Sequence, residues 1–441
     1  MTTQWATPEA LLDVAKSTER WIAGLAQETE HGRRWSLAAE RPDKFVPTLY
    51  LGSAGIVLFY LELYRATGKD SHLASARAGA DDVIAQFPEL NPTCAAMGGW
   101  VGYMFVLNEI AKTTGESRYA DAARLCAAKQ RESAEEIGAG IGWIQEMPYG
   151  RLTGHQGVRE IFDMTEGAAG AGTFWLYAHD ENIDAQAQEW AQQAGERLLE
   201  VAEPATGGMR WQLMPDIPWP FDAPNFAHGT AGVAYFFARL YQSTGHPRYL
   251  EAAVQGAGHV QAVAQDMPDG GRLVPHVLDD GRPDRFYLGL CHGPPGTARL
   301  FILLSTITGE DDWASWARGL DEGLAATGAP EQRSRGLWNN VSQCCCDAGI
   351  GDHAINMFRA TQDEFYLDLA QRVAAQLVRT AHVEGGRYSW PQAEHRTQPD
   401  FIQTQTGYMQ GAAGIASFFT HLATTLQGAP VKIQFPDSPF P

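Results

Sequence analysis

The sequence lacks any long hydrophobic run. Its most apolar stretch, Gly55–Leu63, is interrupted by Glu62 and is far shorter than the roughly 20 residues that a membrane helix needs. The first residues also lack the basic and apolar regions of a signal peptide, and their pattern predicts an amphipathic helix. We therefore expect a protein without a membrane span that is located in the cytoplasm.

Positive charge is scarce as well. The chain carries 33 Lys and Arg residues against 52 Asp and Glu residues, a formal net charge of −19. Nucleic acids and anionic membrane surfaces both require a basic binding face, so neither is an expected partner.

Cysteine is the third scarcity, with six residues in 441. Three of them nevertheless stand side by side, as Cys344, Cys345 and Cys346. Thiols stay reduced in the cytoplasm, so a cluster of them indicates metal binding or reactive chemistry rather than disulfides.

Glycine, in contrast, is abundant and partly periodic. A motif of two glycines three residues apart, followed by an apolar helical run, recurs along the chain, with its second glycines 47 to 68 residues apart. Six copies are regular, and a seventh has Cys346 in place of the first glycine and Gly349 as the second. The regular pairs are Gly52 and Gly55, Gly99 and Gly102, Gly167 and Gly170, Gly229 and Gly232, Gly293 and Gly296, and Gly411 and Gly414. Each interval has room for two helices and a loop.

A second, amphipathic helix is predicted after each motif, for example in "EFYLDLAQRVAAQLVRTAH" at 364–382. The apolar first helices need neighbours to cover them, which favours a closed ring over the alternative of an open solenoid. We predict one all-α domain over residues 1–441, an α/α toroid (barrel) of seven helical hairpins. Residues 1–45 are expected to form an N-terminal helical cap, and 429–441 an extended C-terminal tail on the surface.

Equivalent positions of a ring converge on its centre, and the two residues that precede the first motif position are therefore informative in each unit. They are Tyr50-Leu51, Met97-Gly98, Thr165-Glu166, Ala227-His228, Cys291-His292, Cys344-Cys345 and Met409-Gln410. The reactive types fall in units four to six. Three thiolates, or two thiolates and an imidazole, form a good ligand set for zinc with one position open. Residue types alone leave open whether Cys346 or His292 is a ligand, and simple burial, expected for Cys94 and Cys126, is the alternative.

The motifs "FDMTEGAAG", "NFAHGTAG", "LCHGPPG" and "CCCDAG", in this order, resemble the lanthionine synthetase C-like (lantibiotic cyclase) family. The resemblance runs from about Tyr50 to Leu426. It implies an α/α toroid with one zinc ion that adds a cysteine thiol to dehydroalanine or dehydrobutyrine in a peptide, forming a thioether. The implied partners are a dehydrated precursor peptide or a small thiol, with a separate dehydratase as a further partner.

The resemblance also implies roles for individual residues. Cys291 matches the first zinc ligand of the family, and Cys344 and Cys345 match its Cys-His pair, with a cysteine replacing the histidine. His228 matches the acid/base and Asp163 the active-site aspartate, and we expect the helix dipole to lower the pKa of His228. His292 stands where the family has an aromatic residue, and we expect it to face the substrate in the active site.

Two further departures accompany these matches. Cys346 replaces a glycine, and Tyr287 replaces an arginine for which Arg285 is the nearest candidate.

Two other functions fit an α/α toroid. A carbohydrate-processing enzyme would need a carboxylate pair, here Asp163 and Glu166, and stacking aromatic residues. Five tryptophans are available for stacking: Trp143, Trp211, Trp219, Trp338 and Trp390. That function would leave the clustered cysteines without a role. The other alternative is a non-cyclising member that binds zinc, a thiol or a peptide.

Overall fold

The structure of the chain is a computed structural model, and it describes residues 7–90, 93–146, 157–214, 223–278, 281–282, 284–333, 336–429 and 433–440. Helices dominate these residues. They are α1 (Pro8–Ala23), α2 (Ser53–Thr67), α3 (Asp70–Ala85), α4 (Trp100–Thr114), α5 (Ser117–Glu132), α6 (Ala168–Asp180), α7 (Ala187–Glu200), α8 (Thr230–Thr244), α9 (Pro247–Val263), α10 (Pro294–Thr308), α11 (Asp311–Ala326), α12 (Asp347–Thr361), α13 (Glu364–Thr380) and α14 (Ala412–Leu426).

The even-numbered helices form a closed inner ring. Each packs against the next along the chain, from α2 to α14, and α14 packs against α2. The odd-numbered helices α3 to α13 form the outer layer, each against the inner helix that precedes it. The predicted all-α toroid is therefore confirmed.

The seventh hairpin is assembled from the two ends of the helical sequence. Helix α1, with the hydroxyl of Thr7 accepting from the backbone N–H of Ala10, is the outer partner of α14. A three-stranded antiparallel sheet follows it, formed by β1 (Ala26–Glu28), β2 (Arg33–Ala38) and β3 (Arg41–Phe45). The N-terminal segment thus takes part in closing the ring, and its boundary at residue 45 remains a prediction.

Inner and outer helices differ in sequence because they differ in surroundings. In α2 every residue from Ser53 to Leu63 is buried, as an apolar helix enclosed on all sides requires. In α7 the buried residues recur every three or four positions, at Ala187, Ala191, Ala194 and Leu198. Outer helices therefore present one face to the ring and the other to solvent.

The paired glycines permit a tight turn at the start of six of the inner helices, all but α12. A Cβ atom at Gly99 would lie 1.9 Å from the carbonyl oxygen of Thr93, and one at Gly102 would lie 2.5 Å from that of Ala96. Neither distance is tolerable for a carbon atom. The repeated motif is therefore explained by backbone packing.

Short strand pairs extend the outer helices in several units. Two-stranded antiparallel pairs join β4 (Glu135–Ile137) to β5 (Gly140–Gly142), β6 (Ile144–Glu146) to β7 (Val158–Glu160), β8 (Glu203–Ala205) to β9 (Gly208–Arg210), β10 (Gln265–Asp266) to β11 (Arg272–Leu273), β12 (His382–Glu384) to β13 (Arg387–Ser389), and β14 (Gln392–Ala393) to β15 (Ile402–Gln403). Three of these units share a tryptophan whose indole N–H donates to a carbonyl 13 residues earlier, at the end of the outer helix. The pairs are Trp143 with Gln130, Trp211 with Leu198, and Trp390 with Leu377.

The described part of the C-terminal tail, residue 429 and residues 433–440, contains no helix. Its Ile433 and Asp437 side chains are buried against the ring. The ring of Phe435 lies between those of Phe105 and Tyr408, and Asp437 Oδ2 lies 2.7 Å from Nη1 of Arg299. The start of the tail at residue 429 remains a prediction.

Within the described ranges, no helix is long and apolar enough to cross a lipid bilayer.

Candidate metal and thiol-addition site

The turns that precede the inner helices are joined to one another by backbone hydrogen bonds. Each turn donates an N–H to a carbonyl of a neighbouring turn at 2.8 to 3.2 Å. The donor–acceptor pairs are Tyr50–Met97, Ala96–Thr165, Thr165–Ala227, Ala227–Cys291, Cys291–Cys344, Cys344–Met409 and Met409–Tyr50. These are the positions that the repeat predicts to converge, or lie next to them, and the structure confirms that they meet.

Three thiols come together at two of these turns. Cys291 precedes α10, while Cys344 and Cys345 precede α12, and their Sγ atoms all lie within 4.8 Å of one another. All three residues are buried and none forms a disulfide. In the part of the chain that the structure describes, they are the one group of three Cys, His, Asp or Glu residues close enough together to hold a metal ion.

The three thiols interact strongly. Hydrogen bonds from Cys291 and Cys345 hold the pKa of Cys344 well below its usual range, with help from the Tyr50 hydroxyl and against the effect of burial. The same hydrogen bonding to its two partners, reinforced by burial, raises the pKa of Cys345. Without a cation the cluster therefore favours one thiolate rather than three.

This donor set fits zinc. Three clustered sulfur atoms are soft ligands of the kind that zinc takes in proteins, and a divalent cation would compensate the charge that keeps the other two thiols protonated. The residues present are thus sufficient to hold the ion that the resemblance implies.

Cys346 and His292 have other surroundings. Cys346 is the N-cap residue of α12, has no exposed surface, and does not belong to the thiol cluster. His292 is likewise outside the cluster. Its ring lies 5.3 Å from that of His228 and 4.5 Å from that of His276, measured between centroids.

A carboxylate–imidazole pair stands at the neighbouring turns. Nδ1 of His228 lies 2.5 Å from Oδ2 of Asp163, and Oδ1 of Asp163 accepts the backbone N–H of Glu166 at 2.6 Å. The Asp163 side chain is buried, whereas that of His228 is 21% exposed.

The pKa of His228 contradicts our expectation. Burial lowers this pKa, but the charge and hydrogen bond of Asp163, followed by the charge of Glu166, outweigh burial and raise it. The helix dipole is a weaker influence than a carboxylate in direct contact. Burial and the nearby Asp163 also raise the pKa of Glu166 to about 7, although His228 opposes the shift.

An aromatic wall continues from His292. The ring of His276 stacks on Tyr287 at 3.7 Å, and Trp338 lies 5.0 Å from Tyr287. Burial, with the positive charges of Arg396 and Arg285, lowers the pKa of His276 to about 3. Burial also holds the pKa of His292 well below its usual range, so both imidazoles are neutral at pH 7.

A cavity of about 950 Å³ shares a wall with this site. Pro275 and Val277 line the cavity, while His276 between them contacts His292. The segment 275–277 therefore lines the cavity through Pro275 and Val277 and contacts His292 through His276.

Sequence reasoning missed two residues that contact the thiols. Nε2 of Gln410 lies 3.1 Å from Sγ of Cys345 and 2.9 Å from the Tyr50 hydroxyl. Both residues occupy the converging positions, which is the signal that could have found them. Their residue types concealed their role, because amides and phenols are not typical metal ligands.

The tryptophans proposed for sugar stacking lie elsewhere. Trp143, Trp211 and Trp390 are at most 3% exposed and fill the outer-helix junctions described above. Trp338 contacts Tyr287, and Trp219 lies outside the described residues.

A model of the lanthionine synthetase C-like protein family matches residues 44–429. Among solved structures, nisin cyclase is similar over 94% of this chain and 97% of its own, with 14% identity and a TM-score of 0.63. The Lin0763 protein from Listeria innocua has 13% identity, covering 95% and 97% of the two chains, with a TM-score of 0.49. An inactive α-1,6-mannanase variant from Salegentibacter has 14% identity over 94% and 99%, also with a TM-score of 0.49. Likeness at such identities shows the fold alone. The comparison with curated proteins found no match.

Proposed function

We propose that this chain, which belongs to the lanthionine synthetase C-like family, is a zinc-dependent cyclase that adds a cysteine thiol to dehydroalanine or dehydrobutyrine in a peptide. The observation that carries the proposal is the buried cluster of Cys291, Cys344 and Cys345, with Sγ atoms within 4.8 Å of one another. Metal binding explains why three thiols from two separate turns meet at the centre of the ring.

Cys291, Cys344 and Cys345 are the proposed zinc ligands. Zinc in this set would supply a site where a substrate thiol loses its proton while staying nucleophilic. The protein positions the three sulfur atoms by joining the two turns that carry them: the backbone N–H of Cys291 donates to the carbonyl of Cys344 at 3.0 Å.

His228 is the proposed proton donor. When the substrate thiolate forms its bond to the β-carbon, the double-bond electrons move to the α-carbon and its carbonyl, and the α-carbon must take up a proton. The raised pKa of His228 keeps the imidazole protonated at higher pH, so the ring has a proton to give. Asp163 orients the ring through Nδ1.

His292 is proposed to face the substrate. Its neutral imidazole stands beside His228 and adds no positive charge to the site. It would contact the peptide near the α-carbon without competing as an acid.

The test is a thiol count on a peptide that contains one cysteine and one dehydroalanine. Cyclisation leaves the peptide mass unchanged and removes one thiol. Alkylation therefore adds mass only to the linear substrate, and mass spectrometry distinguishes it from the cyclic product. We expect about one zinc per chain and thiol loss that depends on it. A protein that holds zinc but never consumes the thiol would be the non-cyclising binding member, and one without zinc would refute the metal site.

The tryptophans give the carbohydrate-processing alternative no support, because Trp143, Trp211 and Trp390 are structural. The dehydrated peptide as substrate, the separate dehydratase that would supply it, and the cytoplasmic location remain predictions.

A further inference from the structure

We infer that Gln410 is a positioning residue for the metal site, whose side-chain amide donates an N–H···S hydrogen bond to Cys345 and offsets the charge of the third thiolate. The inference rests on the proposed metal site. Gln410 lies at the turn before α14, 65 residues from Cys345, so the contact exists only when α12 and α14 pack together.

The contact between Gln410 and Cys345 is short and shielded from solvent. The distance from Nε2 of Gln410 to Sγ of Cys345 is 3.1 Å, within hydrogen-bond range for a sulfur acceptor. Gln410 is 1% exposed, so water does not compete for either group. The second hydrogen of the amide points to the Tyr50 hydroxyl, 2.9 Å away.

Neighbouring residues fix which end of the amide faces the sulfur. Oε1 of Gln410 accepts from Nδ2 of Asn340 at 3.1 Å. The Asn340 amide is oriented in turn, because its Oδ1 accepts the backbone N–H and the hydroxyl of Ser342 at 2.9 and 2.7 Å. Nδ2 of Asn340 also donates to the carbonyl of Ala393 at 2.8 Å. A flipped Gln410 would set its NH2 group against Nδ2 of Asn340 and its oxygen against Sγ of Cys345, so the N–H end faces Cys345.

Charge explains why this site needs the donor. Zinc with two thiolates and a neutral imidazole is electrically neutral, whereas zinc with three thiolates carries one negative charge. Burying that charge is costly unless hydrogen bonds compensate it. Gln410 supplies a donor at Cys345, and the Tyr50 hydroxyl supplies another at Cys344.

Removing the amide should weaken metal binding and make the Cys345 sulfur a stronger electron donor. Hydrogen-bonding partners of metal ligands typically contribute a factor of about 10 to 100 in metal affinity. In the Co²⁺-substituted protein, loss of the N–H···S bond should also move the sulfur-to-cobalt charge-transfer band to longer wavelength.

The experiment compares wild-type protein with Gln410→Leu and Gln410→Glu, using zinc competition against a chelator and the near-ultraviolet spectrum of the Co²⁺ form. Both variants should bind zinc about tenfold or more weakly and shift the band. Gln410→Glu, similar in shape but with no N–H on its carboxylate, should show the larger loss. Gln145→Leu is the matched control. This amide is also buried and bridges two turns, donating to Glu166 O and accepting from Cys94 N, but touches none of the three ligands.

A further variant covers the case in which Gln410→Leu does not fold. Asn340→Asp cannot donate to Oε1 of Gln410, so the amide should rotate and lose its bond to Cys345 with Gln410 still present. The same band shift is expected. Normal metal binding and an unshifted spectrum in the folded variants would overturn the inference alone. A wild-type protein that binds neither metal would overturn the proposed site and, with it, this inference.

Discussion

His228 and Asp163 form a contact of 2.5 Å between Nδ1 and Oδ2, although 65 residues separate them in sequence. They belong to the turns before two neighbouring inner helices, α8 and α6, which pack together in the ring. The contact sets both the orientation of the imidazole and the direction of its pKa shift.

Replacing Asp163 by Asn should shift the pH dependence of cyclisation. A histidine with a raised pKa stays protonated to higher pH, so the rate should fall only as pH rises through that pKa. Asparagine has no charge to raise the pKa, so the falling limb should move to lower pH in Asp163→Asn. The measurement is the pH–rate profile of thiol loss in both proteins.

Other groups that titrate nearby must be separated from this effect. Burial and Asp163 raise the pKa of Glu166 to about 7. The ring of His292 lies 5.3 Å from that of His228, and the charge of Cys344 contributes to the raised pKa of His228. Glu166→Gln is therefore compared as well. Because the charge of Glu166 also raises the pKa of His228, though less than Asp163 does, its falling limb should persist and move less than in Asp163→Asn. An unchanged limb in Asp163→Asn would show that His228 is not the group that titrates.

His228→Ala should slow the addition by on the order of a hundredfold or more, because the α-carbon loses its proton donor. Zinc content and helicity should be unchanged, since the imidazole is outside the thiol cluster. Single-turnover thiol loss measures the rate of addition, and metal analysis measures the zinc content. His246→Ala, an exposed histidine before α9, should retain the full rate. Equal rates for both variants would remove His228 from the reaction.

Cys291→Ala should lose most of the bound zinc while the far-ultraviolet circular dichroism stays nearly the same. Two sulfur atoms on one turn remain, and they form a much weaker site than three. Cys126→Ala is the matched control, because Cys126 is equally buried but lies on α5. Stoichiometric zinc in Cys291→Ala would exclude Cys291 as a ligand.

Cys346→Ala should retain zinc. The residue caps α12 and lies outside the thiol cluster, so its replacement removes only a small buried group. Metal analysis beside Cys345→Ala, which should lose zinc, distinguishes the two adjacent thiols. The reverse pattern would mean that Cys346 is the ligand.

Two adjacent glycines test the turn geometry. Gly99→Ala would place a Cβ atom 1.9 Å from Thr93 O, and should lower the free energy of unfolding by about 2 kcal/mol through overpacking. A Cβ atom added at Gly98 would have its nearest neighbour 3.8 Å away, so Gly98→Ala should change stability by no more than about 0.5 kcal/mol. Thermal and denaturant unfolding measure both. Equal free energies of unfolding for the two variants would show that the turn at Gly99 accommodates a Cβ atom.

The repeat predicted the ring and the converging turns because tight backbone turns leave glycine at fixed positions. It also placed His228 and the cysteines at the centre. The direction of the His228 pKa shift was not predictable, because the residue that determines it comes from another unit. The contact of Gln410 with Tyr50 depends on ring closure, since the two residues are 360 apart in sequence.

The tryptophans show a second limit of prediction from sequence, the assignment of a role to an aromatic residue. An aromatic residue near a predicted cavity suggests ligand stacking, but Trp143, Trp211 and Trp390 each bond to a carbonyl 13 residues earlier. Residue type alone does not distinguish the two uses.

The pairing of α1 with α14 has a consequence for how the protein is made. Six hairpins consist of consecutive helices and are able to form as they leave the ribosome, but the seventh joins helices from opposite ends of the chain. Until α14 is synthesised, the apolar faces of α1, α2 and α12 that it covers stay exposed. A nascent chain stopped just before Gln410 would already contain Cys291, Cys344 and Cys345 without their amide partner, so its thiols would be vulnerable to oxidation and its open ring to aggregation.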